Sequence, residues 1–528
     1  MQQLVTKNVR KKHKGGSSMT HKQWRKRMLA FVLSTSMVLA IAGCGGTETG
    51  EAKLNVPDGA PSYEDDEYIE LAAYMGPRRA GYRFWNGVYG EHPEDPAGGW
   101  DSFITEKDFQ DYIDAGFTYV LSEGDGWYDY NYKLNQSVST FEESDLYTYM
   151  EMAEKMGLPV VAGSNFLVNL ASRQDYRLTE EHKQTIDQMI ADLSKYKMFK
   201  GLTLRDEPDH EWAKSFGAIQ DYVWSKNPNF FFYTCMLPIY GRVSSFSNNI
   251  TDDKEAAYAE YVQAISDATG TFAYDHYPLY IDPIQGVTTV QADYYQNFEI
   301  VAKNAKENDY DAGFVVQCTA WGSRNGEFTT RHPRATNTKA DISYQVYNAL
   351  AYGMKYINYY TYWEHYAQGD SSYFYDAMVM YPEKKGQEAV KTDTYYAVQA
   401  MNQELKKFDH VFLKYDWEGT MAVAPEGKTK STLLACVKDY TSPRIVSVNA
   451  TEEAIIGCQK DENGYDGFMI VNATDPGKNT PNSVTIEFKE ATSAICYIEG
   501  EETKVELKDG AYTFDIKGGE GIFVIPVK

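Results

Sequence analysis

The 528-residue sequence has few cysteines, few basic residues beyond its first 43 positions, and no long apolar run after them. It holds six cysteines and no Cys-X-X-Cys spacing, so neither a disulfide framework nor a zinc site is indicated. Residues 44–528 carry 42 Lys and Arg against 75 Asp and Glu, a net charge of −33, which argues against nucleic acid as a partner. The 76 aromatic residues, 43 of them tyrosine, exclude a disordered acidic chain and provide material for a large core.

Residues 1–43 predict an export signal. Four basic residues between Lys22 and Arg27 precede the apolar run 29–42, which is too short for a comfortable transmembrane helix but typical of a signal peptide. Residues 41–44, Ile-Ala-Gly-Cys, resemble the bacterial lipobox, in which the cysteine becomes the lipidated first residue. We therefore expect a lipid on Cys44 that anchors the exported protein to the outer face of the bacterial cytoplasmic membrane. The alternative is an ordinary secretory signal.

Composition and periodicity divide the rest of the chain into three predicted segments. Residues 44–66 are rich in Gly, Thr, Pro and acidic residues, which predicts a flexible tether. Residues 67–411 alternate strand and helix eight times with no Gly-rich phosphate turn, which predicts a (β/α)8 TIM barrel. In residues 412–528 short alternating apolar runs predict an all-β sandwich. There Asp509-Gly510 is expected to be the turn of a hairpin.

The eight barrel strands are predicted in short runs rich in Val, Ile, Phe and Tyr, as strands buried on both faces should be. They are 68–74, 118–123, 159–164, 200–206, 230–236, 271–276, 312–318 and 355–361. The intervening helices have plausible cap residues, such as Thr105 and Ser144.

The active site of such a barrel lies at the C-terminal ends of its strands. The predicted strand ends combine carboxylates with large aromatic side chains, a mixture that suits sugar hydroxyls and the flat faces of pyranose rings. The candidates are Glu123 and Trp127 after strand 2, Asn165 after strand 3, Arg205, Asp206 and Glu207 at strand 4, Asp275 and Tyr277 at strand 6, Trp321 after strand 7, and Tyr362, Trp363 and Glu364 after strand 8.

Residues 204–208, Leu-Arg-Asp-Glu-Pro, resemble the strand-4 Asn/Asp-Glu-Pro signature of retaining (β/α)8 glycosidases, the superfamily that contains β-galactosidases. The resemblance covers about residues 68–410 and implies that Glu207 is the general acid/base. It also implies that Trp363, after Tyr362, is the platform beneath the bound sugar. The same segment could instead only cap the following helix.

One position departs from the superfamily pattern. The nucleophile of the superfamily is a Glu at the end of strand 7, where this sequence has Gln317. A second carboxylate must then come from elsewhere, or the mechanism must differ. The candidates for that carboxylate are Glu364, Asp275 and Glu123.

A third route is open because Asp206 and Glu207 are adjacent. The pair resembles that of enzymes which cleave N-acetylhexosaminides through the acetamido group of the substrate. Asp206 would steer the acetamide and Glu207 would protonate the leaving oxygen.

Strand alternation predicts the side-chain directions at strand 4. Because the leucines of this strand should face the helices, Arg205 and Glu207 are expected to point into the barrel and Asp206 away from it. A guanidinium beside Glu207 would keep that carboxyl ionised, so we expect Arg205 to pair with Asp275 or Glu123 instead. Aromatic walls should then raise the pKa of Glu207.

These patterns predict an extracellular glycoside hydrolase that acts on an oligosaccharide or glycoconjugate. The alternative is a carbohydrate-binding surface lipoprotein without catalysis, either a degenerate barrel or a transport-linked receptor. The missing strand-7 glutamate favours the degenerate barrel, and the eight βα units disfavour a two-lobed receptor. No HxH or HExxH spacing supports a metal site, and no cofactor is expected.

Overall fold

A computed structural model of the protein describes most of the chain after the predicted tether. The described residues are 54, 56–78, 103–122, 127–131, 136–173, 175–323, 331–366, 372–382 and 387–528. Cys44, the predicted export signal and Glu123 lie outside them. Within these ranges, no helix is long and apolar enough to cross a membrane.

Eight parallel strands form the predicted barrel. They are β1 (Glu70–Ala73), β2 (Val120–Leu121), β3 (Val160–Ala162), β4 (Phe199–Asp206), β5 (Phe231–Met236), β6 (Thr271–Asp275), β7 (Asp311–Gln317) and β8 (Tyr356–Tyr360). Neighbouring strands pair in the order β1-β8-β7-β6-β5-β4-β3-β2. The backbone N–H of Thr118 donates to the carbonyl of Leu71 at 2.8 Å, which brings the start of β2 against β1. The (β/α)8 prediction is confirmed.

One main helix follows each barrel strand. These are α1 (Glu106–Asp114), α2 (Asp145–Met156), α3 (Glu180–Leu193), α4 (Ala213–Trp224), α5 (Lys254–Thr269), α6 (Tyr294–Asn308), α7 (Lys339–Ala351) and α8 (Asp393–Leu405). The Thr105 hydroxyl accepts a hydrogen bond from the N–H of Asp108, and the Ser144 hydroxyl accepts one from the N–H of Tyr147. Both predicted N-caps are confirmed, and each satisfies a backbone donor that the helix leaves unpaired.

Short helices and strands lie in the loops and at the end of the barrel. The short helices are Phe141–Glu143, Asn165–Ala171, His210–Trp212, Val243–Phe246, Asp409–Phe412 and Pro476–Lys478. The short strands are Tyr130–Asn131, Gln136–Ser137, Leu279–Asp282, Val287–Val290, Ala320–Ser323, His332–Pro333, His365–Tyr366, Ser372–Tyr375, Val379–Met380 and Val390–Lys391. Several of these strands follow β6, β7 and β8, so they extend the C-terminal end of the barrel.

The barrel interior contains hydrogen-bonded tyrosines. The hydroxyls of Tyr74 and Tyr233 lie 2.9 Å apart, and Tyr233 also accepts a hydrogen bond from the Asn358 amide at 2.7 Å. The carbonyl oxygen of Asn358 accepts from the Tyr119 hydroxyl at 2.8 Å. All four side chains are buried. Such groups are tolerated inside because each finds a partner.

Two antiparallel sheets follow the barrel. The six-stranded sheet contains, in spatial order, Tyr415–Val423, Ala454–Asp461, Asp466–Asn472, Gly521–Val527, Ser493–Ile498 and Glu501–Glu506. The three-stranded sheet contains Ile445–Ala450, Asn482–Phe488 and Ala511–Ile516. Apolar side chains from both sheets form one core, so the predicted β-sandwich is confirmed.

The Asp509-Gly510 turn is present, but it does not close a hairpin of paired strands. Both residues have positive φ, 52° and 81°, and the N–H of Ala511 donates to the carbonyl of Lys508 at 2.9 Å. The strand before the turn pairs within the six-stranded sheet, whereas the strand after it pairs within the three-stranded sheet. The hairpin prediction is wrong because this tight turn carries the chain from one sheet to the other.

Helix α7 packs against the six-stranded sheet through glycines. A Cβ atom on Gly457 would overlap the carbonyl of Ala351, and one on Gly521 would lie 2.6 Å from the ring of Tyr347. Approaches this close require residues without a side chain. The barrel and the sandwich therefore share a closely packed face.

Candidate active site

Glu207 follows β4 directly and has strained backbone. Its φ is 44°, in the left-handed region that residues other than glycine seldom adopt. Its N–H donates to the carbonyl of Cys235 on β5 at 2.9 Å, and its side chain is exposed at the mouth of the barrel. Strain of this kind costs about 1–3 kcal/mol and concentrates at functional sites. Seven other described residues besides glycine also have positive φ, Asp509 among them, so the strain agrees with the sequence motif but does not by itself select Glu207.

The register between β4 and β5 breaks just before Glu207. Thr203 pairs with Tyr233 and Asp206 pairs with Cys235, so three steps along β4 match two steps along β5. An irregularity of this type changes which side chains face inward. Oδ1 of Asp206 accepts a hydrogen bond from the hydroxyl of Tyr74 at 3.3 Å, so Asp206 faces the inside of the barrel. The prediction that it points away is wrong.

Arg205 does not occupy the position predicted for it. Its guanidinium lies over the ring of Trp212, 4.5 Å from the centroid, in the segment that leads to α4. Among the described residues, no carboxylate lies within ion-pair distance of this guanidinium. The expected pairing with Asp275 is therefore wrong, and the other expected partner, Glu123, lies outside the described residues.

Asp275, the last residue of β6, provides the second carboxyl of the site. It is 5% exposed and forms a hydrogen bond with the carboxyl of Glu207. Burial, followed by the charges of Glu207 and Asp206, raises the pKa of Asp275 well above its usual range. Although Glu207 is exposed, the protein atoms around its carboxyl displace part of its water and raise its pKa, whereas the hydrogen bond that it accepts from Asp275 opposes this rise. Two touching carboxyls cannot both ionise easily, so the pair keeps a proton at pH values where separate carboxyls have lost theirs.

Aromatic side chains surround the carboxyl pair. The hydroxyl of Tyr277 lowers the pKa of Asp275, and its half-buried ring packs against Trp321 and Tyr360 at centroid distances of 5.2 and 5.4 Å. Burial, and then the charges of the three carboxylates Asp206, Glu207 and Asp275, raise the pKa of Tyr360. The site thus combines one shared proton with a wall of aromatic rings.

His365 and Phe374 both pack against Tyr360, one of these aromatic rings. Nε2 of His365 lies 2.8 Å from the hydroxyl of Tyr360, and its ring stacks on Phe374 at 4.3 Å. Burial lowers the pKa of His365 to about 3, so the imidazole is neutral, and its Nε2 shares a hydrogen bond with the hydroxyl of Tyr360. Neither residue was among the predicted site residues. Phe374 reaches the wall because its strand pairs with Ala320–Ser323, a contact that no local pattern indicates.

Three predicted site residues lie in a buried core instead. Tyr362 and Trp363 are 2% and 1% exposed, and Trp363 packs against Phe103 and Tyr381. Glu364 is fully buried, and its Oε1 accepts a hydrogen bond from the backbone N–H of Tyr381 at 2.8 Å. This burial contradicts the platform role implied for Trp363, the substrate-binding role of Tyr362 and the catalytic role expected of Glu364. The last side chain of β8 in the site is Tyr360.

Gln317 is a structural residue. It is fully buried, and its amide nitrogen donates to the carbonyls of Leu279 and Arg334, both at 3.1 Å. Its amide oxygen accepts from the N–H of Leu279 at 3.0 Å. The end of β7 therefore ties together the segments after β6 and β7, where the glycosidase superfamily has its nucleophile.

Trp127 and Asn165 lie on the neighbouring part of the rim. Trp127 forms a bridge with Gly163, and Asn165 is the first residue of the helix Asn165–Ala171. The N–H of Asn165 donates to Oδ1 of Asp129 at 2.9 Å. Since β2, β3 and β4 are adjacent, both residues lie at the same end of the barrel as Glu207. Their substrate-binding roles, like that of Glu123, stay predictions.

No protein-family model and no curated protein matches the sequence. Among solved structures, the chain is similar to an α-amylase from Anoxybacillus at 11% identity and a TM-score of 0.46, over 89% of this chain and 99% of that one. It is also similar to a family 51 α-L-arabinofuranosidase from Bifidobacterium longum at 12% identity and a TM-score of 0.41, over 90% and 98% of the two chains. Likenesses this distant add nothing to what the strand order already establishes about the fold. Within the described residues, no group of three or more His, Cys, Asp or Glu side chains is placed to hold a metal ion.

Proposed function

We propose that this protein is a glycoside hydrolase in which Glu207 is the general acid/base and Asp275 is its partner. The hydrogen-bonded carboxyl pair carries this proposal. Glu207 reaches solvent at the barrel mouth and belongs to a pair that retains a proton. A glycosidic bond breaks readily when a carboxyl of raised pKa protonates the departing oxygen.

Substrate binding has to separate the two carboxyls. In direct hydrogen-bond contact they are closer than the ~5 Å of retaining enzymes and the ~6.5–9.5 Å of inverting ones. Asp275 is held by the hydroxyl of Tyr277, whereas Glu207 is exposed and has the longer side chain. A sugar entering the mouth therefore displaces Glu207 rather than Asp275. As the carboxyls part, the proton of the pair moves from Asp275 to Glu207, and Glu207 then gives it to the leaving oxygen. Asp275 is left with the negative charge that faces the sugar ring.

Asp206 has an electrostatic role in this proposal. Its charge raises the pKa of Asp275, and its own carboxylate is bonded to Tyr74. It thereby favours the state in which the pair holds one proton. The half-buried rings of Tyr277, Trp321 and Tyr360 provide the apolar face on which a pyranose packs.

Turnover of 4-nitrophenyl glycosides tests the proposal. The panel contains plain hexosides and N-acetylhexosaminides of both anomers, assayed with the wild type, Glu207→Gln and Asp275→Asn. We expect kcat/KM to fall about 10²- to 10⁴-fold in each variant, the usual contribution of general acid–base catalysis. Glu211→Gln, on the neighbouring His210–Trp212 helix, is the matched control and should keep wild-type activity. Equal activity of Glu207→Gln and the wild type would refute the assignment.

A second candidate is a carbohydrate-binding protein without catalysis. Two observations favour it: β7 ends in a buried Gln317, and the carboxyl pair is closer than either catalytic separation. In that case oligosaccharides bind to the wild type with measurable heat, no glycoside in the panel is cleaved, and Trp321→Ala weakens binding.

We also propose that the protein is exported and anchored by a lipid on Cys44. The support is the basic and apolar pattern of residues 1–43 followed by Ile-Ala-Gly-Cys. Labelled palmitate should be incorporated into the wild type and not into Cys44→Ala, and only the wild type should partition into detergent. Incorporation into the variant would contradict the anchor.

A further inference from the structure

A second cavity, of about 540 Å³, lies between the barrel and the sandwich. Its walls come from the loops after β6, β7 and β8, the first turn of α7 and the sandwich helix Pro476–Lys478. The polar and aromatic residues that matter for its chemistry are His332, Arg334, Asn337, Tyr375, Asp376 and Asn479. None of them belongs to the carboxyl pair or to its aromatic wall. The volume lies within the range of small-molecule sites, ~300–1,000 Å³.

The strand Ser372–Tyr375 separates this cavity from the active site. Phe374 stacks on His365 behind the active-site wall, while the next residue, Tyr375, lines the cavity. Successive side chains of a strand point to opposite faces, so this strand contributes both to the aromatic wall of the active site and to the cavity. Gln317 also connects the end of β7 to the cavity, because its amide donates a hydrogen bond to the carbonyl of Arg334, which lines the cavity.

Arg334 contributes a buried guanidinium to the wall of this cavity. The residue is 8% exposed, and its Nε has no hydrogen-bond partner. Its Nη2 lies 2.5 Å from Oδ1 of Asp341, which also lines the cavity. Nε and Nη2 have almost no accessible surface, so the guanidinium sets the charge of the cavity wall and does not offer these donors to a ligand.

The charges of the cavity exclude an anionic ligand. Arg334 is paired with Asp341 and lies 3.8 Å from Asp475, and Asp376 lines the same space. Two carboxylates beside the guanidinium and a third on the cavity wall repel an anion. A neutral sugar fits, because its hydroxyls donate to the carboxylate of Asp376 and accept from the amide of Asn337. The ring of Tyr375 offers a surface for the apolar face of the sugar.

We propose that this cavity is a second binding site for a neutral sugar unit, separate from the active site. The proposal rests on the carbohydrate ligand of the proposed function. It does not require catalysis.

Binding of methyl glycosides to full-length Glu207→Gln tests the site without interference from turnover. The probes are the methyl glycosides of glucose, galactose and mannose, with inorganic sulfate as the anionic comparison, and binding of each is measured by isothermal titration calorimetry. We expect at least one glycoside to bind, and Tyr375→Ala to weaken it at least tenfold. Tyr396→Ala, a matched tyrosine that is 54% exposed on α8, should leave the affinity unchanged. Asn337→Ala, at an exposed loop position, provides a second variant if Tyr375→Ala fails to fold.

Trp321→Ala, in the same Glu207→Gln background, distinguishes binding in the cavity from binding at the active site. The second site is supported if the glycoside still binds to the Trp321→Ala variant and binds more weakly to the Tyr375→Ala variant. This conclusion holds even if the wild type cleaves no aryl glycoside. The proposal is overturned if no glycoside binds, if only sulfate binds, or if Trp321→Ala alone removes binding. Each of those outcomes leaves the test of hydrolysis with aryl glycosides unaffected.

Discussion

Glu299 on α6 should make the stability of the protein depend on pH. Its side chain is 6% exposed, accepts a hydrogen bond from the hydroxyl of Tyr352 at 3.0 Å, and accepts another from the backbone of Lys438. Burial raises the pKa of Glu299 to about 7. The folded state therefore binds this proton more tightly than the unfolded chain, where the pKa is about 4.3. The resulting stabilisation is fully present below about pH 4.3 and is lost as the pH rises through about 7.

The size of the effect follows from the difference between the two pKa values. At ~1.36 kcal/mol per pH unit, the contribution changes by about 3.7 kcal/mol between the two limits. Glu299→Gln removes the titration and keeps a side chain of the same shape. The variant should be about 1 kcal/mol more stable than the wild type at pH 5, where the unfolded chain has already lost most of this proton, and about 3.7 kcal/mol more stable at pH 8.5.

Urea unfolding followed by tryptophan fluorescence at both pH values measures this difference. Glu307→Gln is the matched control, because Glu307 is on the same helix with a side chain that is 60% exposed. Its stability relative to the wild type should change little between the two pH values. The reasoning fails if the stability of Glu299→Gln relative to the wild type is the same at pH 5 and pH 8.5.

Three further substitutions have clear expected outcomes. Gly457→Ala should lower the free energy of unfolding by about 1–3 kcal/mol, because the new methyl group would overlap the Ala351 carbonyl. Gly217→Ala, inside α4 with open space around it, should raise that free energy by about 0.5–1 kcal/mol, and urea unfolding of both variants checks the opposite signs. Tyr277→Phe removes a hydrogen bond that lowers the pKa of Asp275, so the pH optimum of turnover should move upward. An unchanged or lower optimum would contradict this role.

The fold followed from local patterns in the sequence. The barrel strands are short runs of large apolar residues, and the helices carry the expected caps at Thr105 and Ser144. These features depend on neighbours within a few residues, so periodicity and capping rules could predict them. The hairpin at Asp509-Gly510 was mistaken because the turn itself is local, whereas the choice of sheet for each flanking strand depends on distant partners.

The site was only partly predictable for the same reason. Glu207 was found from its motif, and Asp275 was one of three candidates for the second carboxyl. The direction of Arg205 depended on a break in register with β5, which no pattern within β4 reveals. The burial of Trp363 and Glu364 depended on the path of the chain after β8, which packs them against Tyr381 and its neighbours.

The amide at the end of β7 limits how the protein could be redesigned. Gln317→Glu would place a glutamate where the glycosidase superfamily has its nucleophile. The substitution would also remove the N–H groups that bond the carbonyls of Leu279 and Arg334, and would place a carboxylate against those oxygens in a fully buried position. An attempt to build a faster enzyme from this scaffold would therefore have to rebuild the loops after β6 and β7 together, before any acid is introduced there.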